Sequence, residues 1–178
     1  MGKPELWLFT MRFPFGNGEA FLENELPILA KGFQRVRIFP LLPIGEPRPL
    51  PPNVETVKIF DNKEVYRPLS IWRMVLDTPR VLKVWRQAKA SAPTLAIFKT
   101  RRREFLSQLR QALNRERLLR KQVAGAYDAQ RVGLYSYWAS DWATVLGIWK
   151  LRDNRLHFVS RMMGFDMFDH RAPDGWQR

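Results

Sequence analysis

LWLFTMRFPFGNGEAFLENEL, residues 6–26, decides the fold class of this 178-residue chain. It opens with a short apolar run, which is typical of a buried strand, and a turn rich in Gly and Pro closes the run. The acidic segment that follows has apolar residues near helical spacing, which predicts a helix over residues 19–31. Gly32 stands where a helix C-cap is favoured.

A proline-rich segment separates two further predicted strands. The predicted strands are residues 36–42 and 54–60, and PLLPIGEPRPLPP, residues 40–52, contains six of the thirteen prolines. Such a segment does not fit a central strand or a helix interior. It is either an ordered loop between the two strands or a polyproline ligand for another protein.

The last third of the chain returns to alternating strands and helices. RVGLYSYW, residues 131–138, predicts a strand, and SDWATVLGIWKLRD, residues 140–153, predicts a helix with Ser140 as its N-cap. LHFVSRM, residues 156–162, predicts another strand. This alternation predicts a single α/β domain with a Rossmann-like, mostly parallel sheet flanked by helices.

Positive charge is concentrated in one helical region. The chain carries a formal net charge of +13, and residues 80–121 hold thirteen Lys and Arg residues against two acidic residues. Helical spacing extends over residues 68–127, with breaks near Pro79 and Pro93, and places an apolar stripe beside the basic residues. This insertion suits an anionic partner such as lipid head groups, nucleic acid or a phosphorylated substrate. Alternatively, its apolar stripe packs on the sheet.

Composition excludes several classes of site. The chain has no Cys and two His residues, which excludes thiolate zinc sites, Cys nucleophiles and disulfides and disfavours imidazole chemistry. Apolar residues make up 46% of the chain and aromatic residues 13%, which is sufficient for a packed core. The first apolar run is far shorter than the roughly 18–20 residues that span a bilayer. We therefore expect a cytoplasmic, non-spanning protein.

The glycine turn lies where α/β proteins bind phosphates, between the first strand and the first helix. It does not match the dinucleotide fingerprint, because Phe21 stands in place of the third glycine and the second strand ends without an acid. No GxxxxGK[ST] motif is present. NAD, FAD and P-loop chemistry are therefore disfavoured, and the turn either contacts another phosphate or only reverses the chain.

Three segments carry a family resemblance: FPFGNGEAFLENELPILAKGFQRVRIFPLLP (13–43), YSYWASDWATVLGIWK (135–150) and HFVSRMMGFDMFDHR (157–171). They resemble the amino-terminal domain of bacterial family-4-like glycosyltransferases of the two-domain GT-B fold, of the exopolysaccharide and colanic acid type. The family has a Phe-rich Gly-x-Gly-Glu loop and a late Ser-Arg-x-His-Gly loop. This chain departs from the second motif, because Met163 stands where the family has His.

The resemblance implies an acceptor-side domain that helps transfer a sugar from a nucleotide-sugar donor to a glycan or polyprenyl-linked acceptor. The substrate-binding residues that it implies are Gly16, Asn17, Gly18, Glu19, Tyr137, Arg161, Met163, Gly164 and Asp166. Glu19 would either steady the loop or orient an acceptor hydroxyl. Arg161 would contact phosphate and Asp166 a sugar hydroxyl, or the two would form a structural ion pair. The resemblance implies no metal, no cofactor and no catalytic residue that can be named.

The chain ends at Arg178, soon after the late loop. We therefore expect residues 1–178 to be one GT-B amino-terminal domain that lacks the family's donor-binding domain and is inactive alone, so whether it is itself an enzyme stays open.

The basic insertion suggests a peripheral site at the inner membrane, because acceptors of this kind are held at that surface. The expected membrane-binding residues are Trp85, Arg102, Arg103, Arg110, Arg117 and Lys121. The alternative is a non-catalytic basic α/β module that binds anionic lipid, with nucleic acid ranked last because no recognised nucleic-acid motif is present.

Overall fold

A computed structural model describes residues 2–61, 63–92 and 94–162. The strands are β1 (Glu5–Thr10), β2 (Arg35–Pro40), β3 (Val54–Thr56), β4 (Val132–Ser136) and β5 (Phe158–Ser160). The helices are α1 (Phe21–Gly32), α2 (Ile71–Leu76), α3 (Thr78–Ser91), α4 (Leu95–Gln122) and α5 (Asp141–Lys150).

The five strands form one sheet in the order β3-β2-β1-β4-β5. Every pairing is parallel, so all the carboxyl ends lie along one edge. The chain adds strands on one side of β1 as far as β3 and then crosses to the other side with β4, so the strand order reverses between β1 and β4. The predicted Rossmann-like α/β fold with a parallel sheet is therefore confirmed.

Both faces of the central strand β1 are covered, which explains why it is an apolar run rather than an alternating sequence. Leu6 and Leu8 of β1 pack with Leu22 and Leu26 of α1 on one face. The intervening residues of β1 point to the other face and pack with α4 and α5. There the Phe9 ring stacks on Phe39 with centroids 5.0 Å apart and lies 4.9 Å from the Trp142 ring.

Two predicted helix ends have different outcomes. Gly32 was expected to cap α1, but the helix includes Gly32 and is capped by Phe33, whose φ is −115°. The Phe33 amide bonds the Leu29 carbonyl in this extended conformation, so no left-handed glycine is needed. Ser140 is the N-cap residue of α5 as predicted, although its side chain makes no capping hydrogen bond.

The basic insertion consists of α2, α3 and α4, which lie between β3 and β4 in the chain. Pro79 lies in the first turn of α3, where a missing amide hydrogen costs nothing. The carboxyl-terminal half of α4 is largely buried and contributes Leu109, Leu113 and Leu119 to the core. In that half of α4 the predicted apolar stripe therefore packs on the sheet.

Polar side chains of α4 fix the segment that leads into α2. Arg115 Nε donates to the Val65 carbonyl at 2.9 Å, and Arg110 Nε donates to the Leu69 carbonyl at 2.9 Å. The amide of Asn114 donates to the carbonyl of Arg67, between them, at 3.1 Å. None of the helices within the described ranges is long and apolar enough to cross a bilayer.

Candidate functional site

Glu19 joins the loop after β1 to the loop after β4 at the point where the strand order reverses. Its carboxylate accepts hydrogen bonds from the amides of Met11 (2.9 Å), Arg12 (2.8 Å) and Phe13 (2.7 Å). It also accepts one from Trp138 Nε1 at 2.7 Å. These four bonds use the acceptor capacity of the carboxylate. Of the two roles expected for Glu19, steadying the loop is the one that its contacts perform.

The backbone of Glu19 is unusual for a residue with a side chain, since its φ is +56°. A left-handed conformation at a residue other than glycine costs about 1–3 kcal/mol and persists only where surrounding contacts impose it. Here the four hydrogen bonds to the carboxylate impose it. The carboxylate of Glu19 therefore holds the loop in one conformation, although the backbone of Glu19 is itself strained.

The glycine turn is held on its other side by Arg48, a residue that the sequence did not single out. Arg48 donates from Nε to the Gly16 carbonyl at 2.8 Å and from Nη2 to the carbonyls of both Gly16 and Gly18. It also pairs with Glu23 of α1 at 2.9 Å. The Gly16 amide donates to the Glu46 carbonyl at 3.1 Å, so it is not available to a phosphate.

The proline-rich segment, residues 40–52, is an ordered loop that covers this turn, as one of its two predicted alternatives required. Phe15 and Pro47 form an antiparallel bridge. Gly45 has a φ of +106°, and a Cβ atom at this position would lie 2.9 Å from the Gly16 nitrogen. Both glycines are therefore needed for two backbone segments to approach this closely.

The donors that the turn still offers include the amides of Asn17 and Gly18. Within the described ranges neither amide has a hydrogen-bond acceptor. They lie beside the first turn of α1, where backbone N–H groups and the helix dipole favour an anion. If the turn contacts a phosphate, these two amides are among its donors.

Arg161 follows β5 and lies at the same edge of the sheet. Its amide donates to the Ser136 carbonyl at 3.1 Å. Its guanidinium group pairs with Glu25 of α1, donates to the Tyr137 hydroxyl at 3.3 Å and lies 5.2 Å from the Tyr137 ring centroid. The hydrogen bond that Arg161 donates to the Glu25 carboxylate raises the pKa of Arg161 above its ordinary value. With 37% of its side chain exposed, this fixed cation still faces solvent.

Tyr137 is fully buried, and burial raises the pKa of its phenol above the ordinary value. Its phenol therefore stays protonated and orients Arg161 through the hydrogen bond between them. The Tyr137 side chain has no exposed surface, and its expected contact with substrate stays a prediction.

The structure thus brings most of the predicted substrate-binding residues to one edge of the sheet. Gly16, Asn17, Gly18 and Glu19 follow β1, and Arg161 follows β5. Met163, Gly164 and Asp166 lie outside the described residues. The predicted pairing of Arg161 with Asp166 stays a prediction, and the partner that the structure gives Arg161 is Glu25.

The residues predicted to bind a membrane occupy different environments. The Trp85 ring is half-buried between α3 and α4, with centroids 4.8 Å from Phe98 and 5.8 Å from Phe105. Arg110 is occupied in holding Leu69. The exposed members of the set are Arg102, Arg103 and Lys121, and Arg117 is partly buried.

A buried cluster of charges that the sequence analysis did not identify joins the insertion to α5. Glu116 has no exposed surface and pairs with Arg120 at 2.5 Å and Arg152 at 2.9 Å. Arg152 also pairs with Asp77, between α2 and α3, at 2.6 Å. Burial raises the pKa of Glu116 despite the two nearby guanidinium groups. The cluster lies away from the glycine turn and has a structural role.

The fold and this edge of the sheet define the class of the protein: a Rossmann-like α/β domain with its polar loops at the point where the strand order reverses. No family model matches the chain, and neither a curated protein nor a solved structure matches it. Within the described ranges no group of three His, Asp or Glu side chains could hold a metal ion. The resemblance to glycosyltransferases therefore stays a prediction.

Proposed function

We propose that this chain is the acceptor-side domain of a retaining GT-B glycosyltransferase that acts in cell-surface polysaccharide biosynthesis. The family's chemistry moves a sugar from a nucleotide diphosphate to a hydroxyl group of a lipid-linked glycan. In this proposal the chain holds the acceptor, while the nucleotide-sugar pocket belongs to a separate domain. Without that domain the chain is inactive.

The observation that carries the proposal is the contact between Glu19 and Trp138. It joins the loops after β1 and β4 at the edge of the sheet where open parallel sheets bind their ligands, and Arg161 follows β5 at the same edge. The Arg48 and Glu19 contacts hold the turn before any ligand arrives. Such preorganisation is what a transferase needs if it acts mainly by positioning its substrates.

The groups of this chain that could contact an acceptor diphosphate are the Arg161 guanidinium and the amides of Asn17 and Gly18. Arg161 supplies a permanent positive charge, and the amides supply directional donors beside the start of α1. No side chain here is assigned as a general base or a nucleophile. The role proposed for this edge is binding and orientation.

Acceptor binding by the isolated chain tests the proposal. The probe is a water-soluble short-chain prenyl diphosphate sugar, and binding is measured by calorimetry with the full chain. We expect Arg161→Gln to weaken binding at least tenfold, because a charge-assisted hydrogen bond is lost. Arg155→Gln is the matched control, since Arg155 is 79% exposed and pairs only with the nearby Asp153 among the described residues.

Two results would overturn the proposal. One is equal weakening by Arg155→Gln and Arg161→Gln, which would reduce the interaction to general charge attraction. The other is failure to bind any prenyl diphosphate sugar, together with no turnover of UDP- or GDP-sugars when a donor domain is supplied.

A second candidate function is a non-catalytic module that binds anionic lipid. The observation that favours it is the exposed apolar surface of α2. Prenyl diphosphate binding that is insensitive to Arg161→Gln but is competed by anionic lipid would favour this candidate.

A further inference from the structure

Helix α2 is apolar and almost wholly exposed. Its side chains Ile71, Trp72, Val75 and Leu76 are 62%, 86%, 58% and 81% exposed. Only Met74 of this helix packs against the core. Single exposed apolar residues are ordinary, but a whole helical face of this kind marks an interaction surface.

An arginine-lined cavity adjoins this helix. It has a volume of about 360 Å³ and is lined by Arg67, Arg73 and Arg117, together with Asn114 and the acidic residue Glu64. Glu64 accepts a hydrogen bond from the Asp61 amide within its own turn. The lining therefore carries three positive charges against one negative charge.

The three arginines of the cavity lack the partners that other arginines of the chain have. Carboxylates pair with many arginines elsewhere, namely Arg35, Arg37, Arg48, Arg80, Arg115, Arg120, Arg152, Arg155 and Arg161. In the described part of the chain no carboxylate pairs with Arg67, Arg73 or Arg117. Arg117 Nε is buried and has no hydrogen-bond acceptor there either. Arg117 Nη2 donates to Asn114 Oδ1 at 3.4 Å, and Arg67 and Arg73 are exposed, so three guanidinium groups without a carboxylate partner line the cavity.

We propose that α2 and this cavity form a docking site for an anionic bilayer. Trp72 and Leu76 enter the interface, and Arg67, Arg73 and Arg117 bind the phosphate of a lipid head group. A bilayer offers an apolar region and a layer of phosphates side by side, which matches the order of these two features on the surface. Free phosphate would explain the cavity but not the exposed helix.

This site shares Arg117 with the set of residues predicted from the sequence but centres on α2 rather than on α3 and α4. Trp85 is held between α3 and α4, while Trp72 is the exposed tryptophan of the insertion. The inference deepens the second candidate function, anionic-lipid binding, and does not rest on sugar transfer, because membrane docking needs neither a donor nor an acceptor sugar. The two proposals can therefore fail separately.

Vesicle binding by the full chain tests the inference. The probe is a vesicle of phosphatidylglycerol and phosphatidylcholine, compared with phosphatidylcholine alone in a sedimentation assay. We expect binding only to the anionic vesicles. Replacing Arg67 and Arg73 with Gln should weaken it about thirtyfold, on the scale of one well-placed basic residue each.

The matched control for the arginines is the pair Arg35→Gln and Arg155→Gln, which also removes two exposed positive charges. For the apolar face, Trp72→Ser with Leu76→Ser should weaken binding at least tenfold. Ile28→Ser with Val159→Ser, at side chains 71% and 67% exposed, should leave it within twofold. If the arginine variants and their control lose vesicle binding equally, or if the apolar variants and their control do, the proposed site is wrong.

Lipids with brominated acyl chains quench tryptophan fluorescence and so show which tryptophan enters the bilayer. Trp72→Phe should keep vesicle binding and lose most of the fluorescence quenching that these lipids cause. Quenching that persists in Trp72→Phe would put another tryptophan at the bilayer and overturn the assignment. Binding of inorganic phosphate by the cavity without any vesicle binding would overturn the bilayer as its occupant.

Discussion

The glycine turn and the surface of α2 differ in whether their side chains are bonded within the fold. In the glycine turn Arg48 bonds two carbonyls and pairs with Glu23. Beside α2, Arg67 and Arg73 have no carboxylate partner among the described residues, and Trp72 is 86% exposed. The polar groups of the glycine turn hold the turn in place, whereas the arginines beside α2 are available to a partner.

This difference separates contributions to stability from contributions to binding. A group that is satisfied inside the fold lowers the free energy of the native state when it is present, so its removal is costly. A group that is exposed and unpaired adds little to folding and becomes valuable only when a partner arrives. Substitutions in the two regions should therefore differ in stability effect, and the predictions below test that contrast.

The largest effect is expected at Glu19. In Glu19→Gln one oxygen that accepts hydrogen bonds becomes an NH₂ group facing N–H donors, and the remaining bonds lose their charge. We expect the free energy of unfolding to fall by about 3 kcal/mol, since bonds to a charged group contribute about 1.5–3 kcal/mol each. Urea unfolding followed by circular dichroism measures the change.

The control for Glu19→Gln is Glu23→Gln, a neighbouring carboxylate whose side chain is 56% exposed. It loses an ion pair with Arg48 but no backbone partner, so we expect a loss below about 1 kcal/mol. Equal losses of stability in the two variants would show that the loop is not fixed by Glu19. The contrast between the glycine turn and the surface of α2 would then be wrong.

A smaller effect, visible as a pH dependence, is expected at Glu116 where the insertion meets α5. Burial raises the pKa of Glu116 from its ordinary value of 4.5. The unfolded chain loses this proton near that ordinary value while the folded chain keeps it, so the contribution of Glu116 is fully present at lower pH. That contribution is lost as pH rises through the raised pKa.

The measurement for Glu116 compares Glu116→Gln with the unaltered chain by urea unfolding between pH 4 and pH 8. The unaltered chain should lose stability relative to the variant as pH rises through this range. Glu46→Gln, an exposed substitution, controls for the removal of one negative charge. A difference that stays constant, or that moves in the opposite direction, would contradict the burial of an acid in this cluster.

The fold could be predicted because its signals are local. The strands are short segments of neighbouring residues and the helices have their own periodicity, so the alternation of strands and helices follows from adjacent positions. Gly32 shows the limit of such reasoning. A glycine at a helix end predicts a left-handed cap, but the extended backbone of Phe33 made that cap unnecessary.

The contacts of the site could not be predicted in the same way. Glu19 and Trp138 are 119 positions apart, and Arg48 reaches a carbonyl 32 positions away. No local pattern marks an arginine in a proline-rich loop as the partner of a distant turn. The sequence placed the turn at the correct edge of the sheet, but which of its groups were already occupied depended on tertiary packing.

The smallest stability effect is expected on α2, although its side chains are the most apolar of the insertion's surface. Trp72→Ser with Leu76→Ser should change the free energy of unfolding by less than about 0.5 kcal/mol, because side chains that are 86% and 81% exposed bury little area on folding. Urea unfolding without lipid measures this change. A loss above about 2 kcal/mol would mean that α2 is covered within the folded chain, and it would leave no exposed apolar face to contrast with the glycine turn.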